Sequence, residues 1–199
     1  MRRISTILLF LLLATTLKAQ NLVSTDPYKR NVIIEEYTGV YCGYCPDGHR
    51  IANELAAKYQ DRLFVLTIDF RTEDGNIIGA KVNSFPTGNV NRLANKAVGR
   101  DTWSLYVEQQ VEQMAECNVA GQVVIDKDAR KATVTVEVYY TANSVSETNY
   151  LNVVMLQDNI IAYQNGSHLN PDQVVGSQYR HMHAFRDAIT PTWGEDIAP

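Results

Sequence analysis

Cys42 and Cys45 stand in the run Tyr41-Cys42-Gly43-Tyr44-Cys45-Pro46, after a strand-like stretch and before a helix-like one. A Cys-x-x-Cys pair at such a junction sets its first sulfur near the unpaired N–H groups and partial positive charge of a helix N-terminus, which stabilise a thiolate. Thiol–disulfide exchange is the chemistry this favours. Two other uses of the pair stay open. A plain disulfide staple would close so short a loop that its entropic gain is small. A zinc site would need two further ligands, and the chain has no second close Cys or His pair at zinc-finger spacing. His181 and His183 alternate across one residue, which on a strand puts both on one face, and are read as surface or interface residues; His49 is read as a capping or surface residue. Glu35 and Glu36, adjacent on a strand, point to opposite faces and do not converge for hydrolysis. Cys117, the remaining thiol, is expected to be buried.

The elements that must hold the pair are legible around it. Val32-Ile33-Ile34 lies in a β-branched strand over 31–37. Pro46 falls where a first helical turn tolerates a missing N–H, and Ile51, Ala52, Leu55, Ala56 and Tyr59 follow at helical spacing. The apolar run 63–68 suits a central strand, so strand, helix and strand imply a right-handed crossover and a parallel pair. Residues 71–84 read as a loop with one short helix, and 89–93 as a short strand. Trp103, Tyr106, Val107, Gln110, Val111 and Met114 trace a helix ending near Cys117 and Asn118. From Gly121 the period becomes two: Ala132, Val134, Val136, Val138 and Tyr140 alternate with polar residues, 122–125 is their hairpin partner, and 126–129 the turn. Further strands are expected over 150–156 and 160–163. The tyrosines of this part, Tyr139, Tyr140, Tyr150 and Tyr163, are read as packing.

The fold class expected is therefore an α/β domain over 31–118 followed by a smaller β-rich unit over 119–199, sandwich-like but short of the roughly seven strands a closed sandwich uses. That unit is expected to be incomplete. Ahead of both, Arg2 and Arg3 precede a leucine-rich segment from Ile4 to Leu17, shorter than the roughly 20 residues of a spanning helix. It reads as a secretory signal over 1–19, cut after Ala19, with 20–30 as a linker. Cleavage takes three of the 18 basic residues and none of the 22 acidic ones, so the formal charge moves from −4 to −7. An acidic chain without basic runs is a poor partner for nucleic acid or an anionic membrane surface. No long alternating series of membrane strands is present, so a peripheral or soluble place in the periplasm is expected.

Beyond the cysteines, the chain resembles the thioredoxin-like superfamily. Glu36 stands six positions before Cys42, Tyr41 directly precedes it, and Phe85-Pro86-Thr87 lies where that superfamily carries its cis-proline. The wider run from Val32 to His49, with Phe85-Pro86-Thr87-Gly88, Tyr179-Arg180-His181-Met182-His183 and 186–191, is similar to the outer membrane protein 28 family of exported Gram-negative proteins. The resemblance implies Cys42 as attacking thiolate, Cys45 as resolving thiol and Glu36 as a buried proton carrier beneath them. It also implies a substrate surface from Tyr41, Tyr44, Phe85, Pro86 and Thr87, protein thiols or disulfides of the cell envelope as partners, an outer-membrane or surface partner, and neither cofactor nor metal. Gly43-Tyr44 between the cysteines matches the periplasmic disulfide isomerase rather than reducing thioredoxins, which points to a more oxidising pair. A scaffold that binds surface ligands without exchange, or a structural subunit of an envelope assembly, are the competing uses of the same fold.

Overall fold

The computed structural model describes residues 22–69, 82, 84–93 and 97–197. The signal expected over 1–19 and the loop over 71–84, save 82 and 84, lie outside them. The described elements run β1 (Val32–Thr38), α1 (Cys45–Tyr59), β2 (Leu63–Asp69), β3 (Thr87–Val90), β4 (Val98–Gly99), α2 (Trp103–Val111), β5 (Cys117–Asp126), β6 (Lys131–Tyr140), β7 (Asn149–Leu151), β8 (Val154–Gln157), β9 (Ile160–Ala162), β10 (Val174–Val175), β11 (Gln178–His181), β12 (Ala184–Ala188) and β13 (Glu195–Ile197).

The β-branched run of β1 and the apolar run of β2 pair in parallel from Val32↔Leu63 to Thr38↔Asp69, with α1 as the crossover. β3 adds to the other edge of β1 in antiparallel sense, and the full sheet has the order β4-β3-β1-β2-β12-β8. Alternation along β1 and β2 splits the interior in two. Val32, Ile34, Leu63 and Val65 face Ala52 and Leu55 of α1 and Trp103, Val107 and Val111 of α2. Tyr37, Leu66 and Ile68 face the other way with Phe185 of β12. Trp103 is fully buried in the first layer and its Nε1–H donates to the Val98 carbonyl at 3.3 Å. Trp103→Ala is expected to cost about 3–5 kcal/mol, read as a lowered urea midpoint at unchanged slope.

The sheet draws on strands from both sides of 118: β12 joins β2 in parallel at Ala184↔Thr67, with the Thr67 N–H donating to the His183 carbonyl at 2.9 Å, and β8 follows β12. The open edge of β2 is an apolar template that the distant strand completes. The second helix stops at Val111, and Cys117 opens β5 instead, half-buried and unbonded rather than buried. The strand expected over 150–156 breaks between β7, which pairs with β13, and β8, which pairs with β12.

The hairpin itself forms in the expected sense, with ten pairs from Cys117↔Tyr140 to Asp126↔Lys131. Its apolar face is open to solvent: Val119, Val123 and Ile125 are 58, 57 and 67% exposed.

Candidate redox site

The α1 N-terminus fixes the cysteines. Tyr44 occupies the cap position without a side-chain hydrogen bond, and Cys45 and Pro46 begin the helix, so the first-turn N–H groups lie beside the sulfurs. Cys42 and Cys45 are joined in a disulfide with Cα atoms 5.4 Å apart. Cys42 is half-buried and Cys45 fully buried, so only the first sulfur is open to attack. Tyr41 and Tyr44 flank it as exposed rings; Tyr41 lies 6.0 Å from the Tyr163 ring, and the Arg100 guanidinium sits 5.7 Å from that of Tyr44.

Glu36 and Pro86 meet beneath the pair at Gly48. The Phe85–Pro86 peptide bond is cis. A Cβ on Gly48 would stand 2.6 Å from Glu36 Oε1 and 3.0 Å from the Pro86 ring, so only glycine lets helix, acid and proline come this close. Thr87 is tied to the Ser84 carbonyl at 2.9 Å, and Phe85 packs against the Tyr37–Leu66–Ile68–Phe185 layer. Glu36 is 0% exposed and neither carboxyl oxygen has a hydrogen-bond partner. Burial holds its pKa well above the usual carboxylate range, with Arg100 opposing. Its neighbour Glu35, on the other face of the strand, pairs with Arg92 at 2.5 Å.

His49 is not at the surface. It is 6% exposed, one turn into α1, and its Nε2 lies 3.7 Å from Glu36 Oε1 and 3.1 Å from Thr38 Oγ1. Its Nδ1 lies 2.9 Å from the Tyr179 hydroxyl. That hydroxyl spends its one proton on Gln173 Oε1 at 2.5 Å and accepts from Asn170 Nδ2 at 2.9 Å. Its remaining lone pair requires a donor, so the His49 proton is on Nδ1 and Nε2 accepts from the Thr38 hydroxyl. Burial first, and then His181, lowers the His49 pKa to about 3, so the ring stays neutral. His181 and His183 do not share a strand face either. β11 ends at His181, whose ring stands edge-on to Tyr179 at 5.1 Å, while His183 lies past the strand at φ 55° with Nδ1 3.2 Å from Asp158.

The two buried groups pull stability in opposite directions with pH. Glu36 keeps its proton to a higher pH in the folded state than in the unfolded one, so its cost is absent below the unfolded value near 4.3 and grows, by about 1.4 kcal/mol per pH unit, up to its folded pKa. His49, with a depressed folded pKa, costs stability as pH falls from about 6.5 towards 3. Glu36→Gln is therefore expected to gain on wild type between pH 4 and 7.5 in urea midpoints. An equal difference at both pH values would contradict it.

Sequence reasoning missed a clasp over the disulfide loop. The Asn165 N–H donates to the Val40 carbonyl at 2.8 Å, its Nδ2 to that of Tyr41 at 3.2 Å, and Gln164 Nε2 to those of Gly39 and Cys42 at 3.3 and 3.1 Å. Gly166 follows at φ 72°, with Gly43 so near that a Cβ would stand 1.9 Å from its carbonyl oxygen. Among the described residues, no cluster of three His, Cys, Asp or Glu could hold a metal ion.

A parallel strand–helix–strand unit with a disulfide-linked Cys-x-x-Cys at the helix start gives the chain a thioredoxin-like fold. Among solved structures, the chain is similar to HBP35 of Porphyromonas gingivalis, at a TM-score of 0.60 and 20% identity, over 85% of this chain and 60% of that one. It thus spans 60% of that protein's length, and the likeness is one of fold. The chain belongs to the family described as outer membrane protein Omp28, whose model matches residues 77–198. That description points to the cell envelope, and the matched part begins downstream of the cysteines and carries the clasp, β11 and β12. Looser overlaps occur with the germline-specific thioredoxin Deadhead of Drosophila melanogaster (TM-score 0.34, 23% identity, 41% of this chain and 82% of that one) and with protein AGR_C_4864 from Agrobacterium tumefaciens (0.48, 11%, 81% and 72%). No curated protein matches the chain.

Proposed function

We propose that the chain is an exported, outer-membrane-associated thiol-disulfide oxidoreductase or isomerase, released from its signal near Ala19 and acting on protein thiols or disulfides of the envelope. The observation that carries this is the asymmetric pair: Cys42 reachable, Cys45 buried, both at a helix N-terminus above an unpartnered buried Glu36. In the reducing direction the Cys42 thiolate attacks a substrate disulfide, forming Cys42–S–S–R and releasing the other half as a thiolate. Cys45 then loses its proton to ionised Glu36 and attacks Cys42 Sγ, which closes the internal disulfide and expels R–S⁻; the electron pairs travel with the sulfurs and no cofactor enters. Tyr41 and Tyr44 flank the exposed sulfur, and with Phe85, Pro86 and Thr87 they supply the apolar and backbone contacts for an extended substrate segment.

A redox titration against glutathione, with trapped mixed disulfides identified by mass spectrometry, tests this. The expected result is a potential above the roughly −300 mV of inert structural disulfides, and adducts on Cys42. A lower potential without adducts overturns it. The open apolar face of the β5–β6 hairpin favours a second use, binding of an envelope partner with the redox fold as scaffold. In that case partner binding survives Cys42→Ser.

A further inference from the structure

Two buried polar groups without protein partners face each other across one small cavity. They are the Glu36 carboxyl oxygens and His181 Nε2. The cavity is lined by both residues, by His49, Thr67 and Gln173, and by Met182 and His183, with about 10 Å³ open to the centre of a water molecule. That is room for a single water, and a buried water needs two to four polar partners of the kind this lining offers. The parallel register places Thr67 beside Glu36 on the same sheet face, and the β11–β12 connection closes the far side. Burial lowers the His181 pKa, with a hydrogen bond to the Tyr163 backbone and the Asp69 charge opposing; the other ring nitrogen donates to that backbone, and Nε2 is left as an acceptor towards the cavity. Half-buried, it bridges the interior to the surface, where His183 and Asp158 form an exposed pair.

We infer that Glu36 exchanges its proton with solvent through this cavity, by way of one water and His181, and not past the sulfurs. The inference rests on the oxidoreductase reading above. In each reducing turnover, Glu36, whose proton burial retains, must shed that proton before it can take the one on the Cys45 thiol, so closure waits on the loss. Glu36–COOH gives its proton to the water and the water passes one to His181 Nε2; the imidazolium then releases its Nδ1 proton to solvent as the bond to the Tyr163 backbone opens, and the neutral ring, now protonated at Nε2, regains its first tautomer by exchange with solvent before the next turnover. The titratable and charged groups around this path are His49 on α1, Tyr179 and His181 on β11, His183 beyond it, and Arg100 and Asp69, whose charges act on Glu36 and His181 respectively. His49, its Nε2 taken by the Thr38 hydroxyl, closes the side of the cavity towards the helix. His181 touches neither sulfur and is a positioning residue for proton flow. The downstream segment thereby becomes part of the redox centre.

The test is a stopped-flow reaction of the reduced full chain with 5,5′-dithiobis(2-nitrobenzoate). The first equivalent of thionitrobenzoate reports attack by Cys42, and the second reports closure by Cys45. His181→Phe and His181→Gln are each expected to slow the second phase about tenfold across pH 6–8, less than the loss of a direct acid–base group. The pH midpoint of that phase should stay in place, because His181 controls the rate at which Glu36 equilibrates and not where it titrates; a merely displaced Glu36 would move the midpoint. Should the Phe variant fail to fold by circular dichroism, the Gln variant carries the test, since it can hold the water but cannot take up a proton. Wild-type closure in the His181 variants, alongside slow closure in Glu36→Gln, overturns the inference and leaves the oxidoreductase standing. Wild-type closure in Glu36→Gln also overturns it. Absence of the first phase in wild type removes the oxidoreductase and the inference together.

Discussion

Cys42→Ser is expected to abolish disulfide exchange, whereas Cys45→Ser should keep the first half of the reaction and accumulate mixed disulfides on Cys42. The difference follows from exposure and position. A serine hydroxyl at position 42 has no accessible alkoxide, and the helix N-terminus that draws down a thiol pKa cannot lower a hydroxyl's enough to compensate. Cys45 is fully buried and meets no outside disulfide, so its loss removes only resolution. In an insulin-reduction assay, turnover should fall by at least about 100-fold in both variants, the scale on which removing a nucleophile acts. Only Cys45→Ser should show adducts on non-reducing gels. Adducts on Cys45 in the Cys42→Ser protein would reverse the assignment of the two sulfurs.

Gly166→Ala is expected to be the most damaging single-methyl change in the described structure outside the sheet. A methyl there would collide with the Gly43 carbonyl oxygen and carbon, at 1.9 and 2.7 Å, and both belong to backbone that no rotamer can move. The residue also sits at φ 72°, where an L side chain is strained. Relief requires separating Gln164–Gly166 from the Gly39–Gly43 loop, which releases the bonds to Gly39, Val40, Tyr41 and Cys42. A loss of about 2–5 kcal/mol should result, from overpacking and backbone strain together. Gly176→Ala is the control. Gly176 has φ 60° but nothing within 4 Å of a new Cβ, so it should lose only the backbone part, about 1 kcal/mol. Equal urea midpoints for the two variants would show that the clasp contributes nothing.

What the chain disclosed by inspection was local. The strand, helix and strand around the cysteines were legible because periodicity and composition act within some 15 residues, and Pro46 marked the helix start. The placement of Glu36 and Pro86 came from the resemblance to thioredoxin-like proteins, through their offsets from Cys42 and Cys45, and the structure brings both to Gly48. Gln164, Asn165, Tyr179 and His181 gave no such signal. They are polar residues in loops and short strands, and the loop and His49 they serve stand more than 120 positions away in the chain. His49 was misplaced for the same reason: on the helix alone it follows Asp47 and precedes Arg50, with nothing local to say that Thr38 and Tyr179 cover it. The β5–β6 hairpin shows the converse. Its period of two is correct for a strand pair, yet alternation says only that one face is apolar, and that face lies open here.

The insertion of β12 beside β2 sets an order of events in time. A polypeptide is made from its N-terminus, and the dithiol emerges some 140 residues before Ala184 does. Until then Leu66 and Ile68 lack Phe185, the β2 edge has no neighbour on that side, and the loop bearing Cys42 has no clasp. Pairing over so long a separation is slow, because the closure entropy must be met before the contacts form. The nascent chain therefore passes through a stage in which its two cysteines are unsheltered, and the loop that bears them is enclosed only with the last quarter of the sequence.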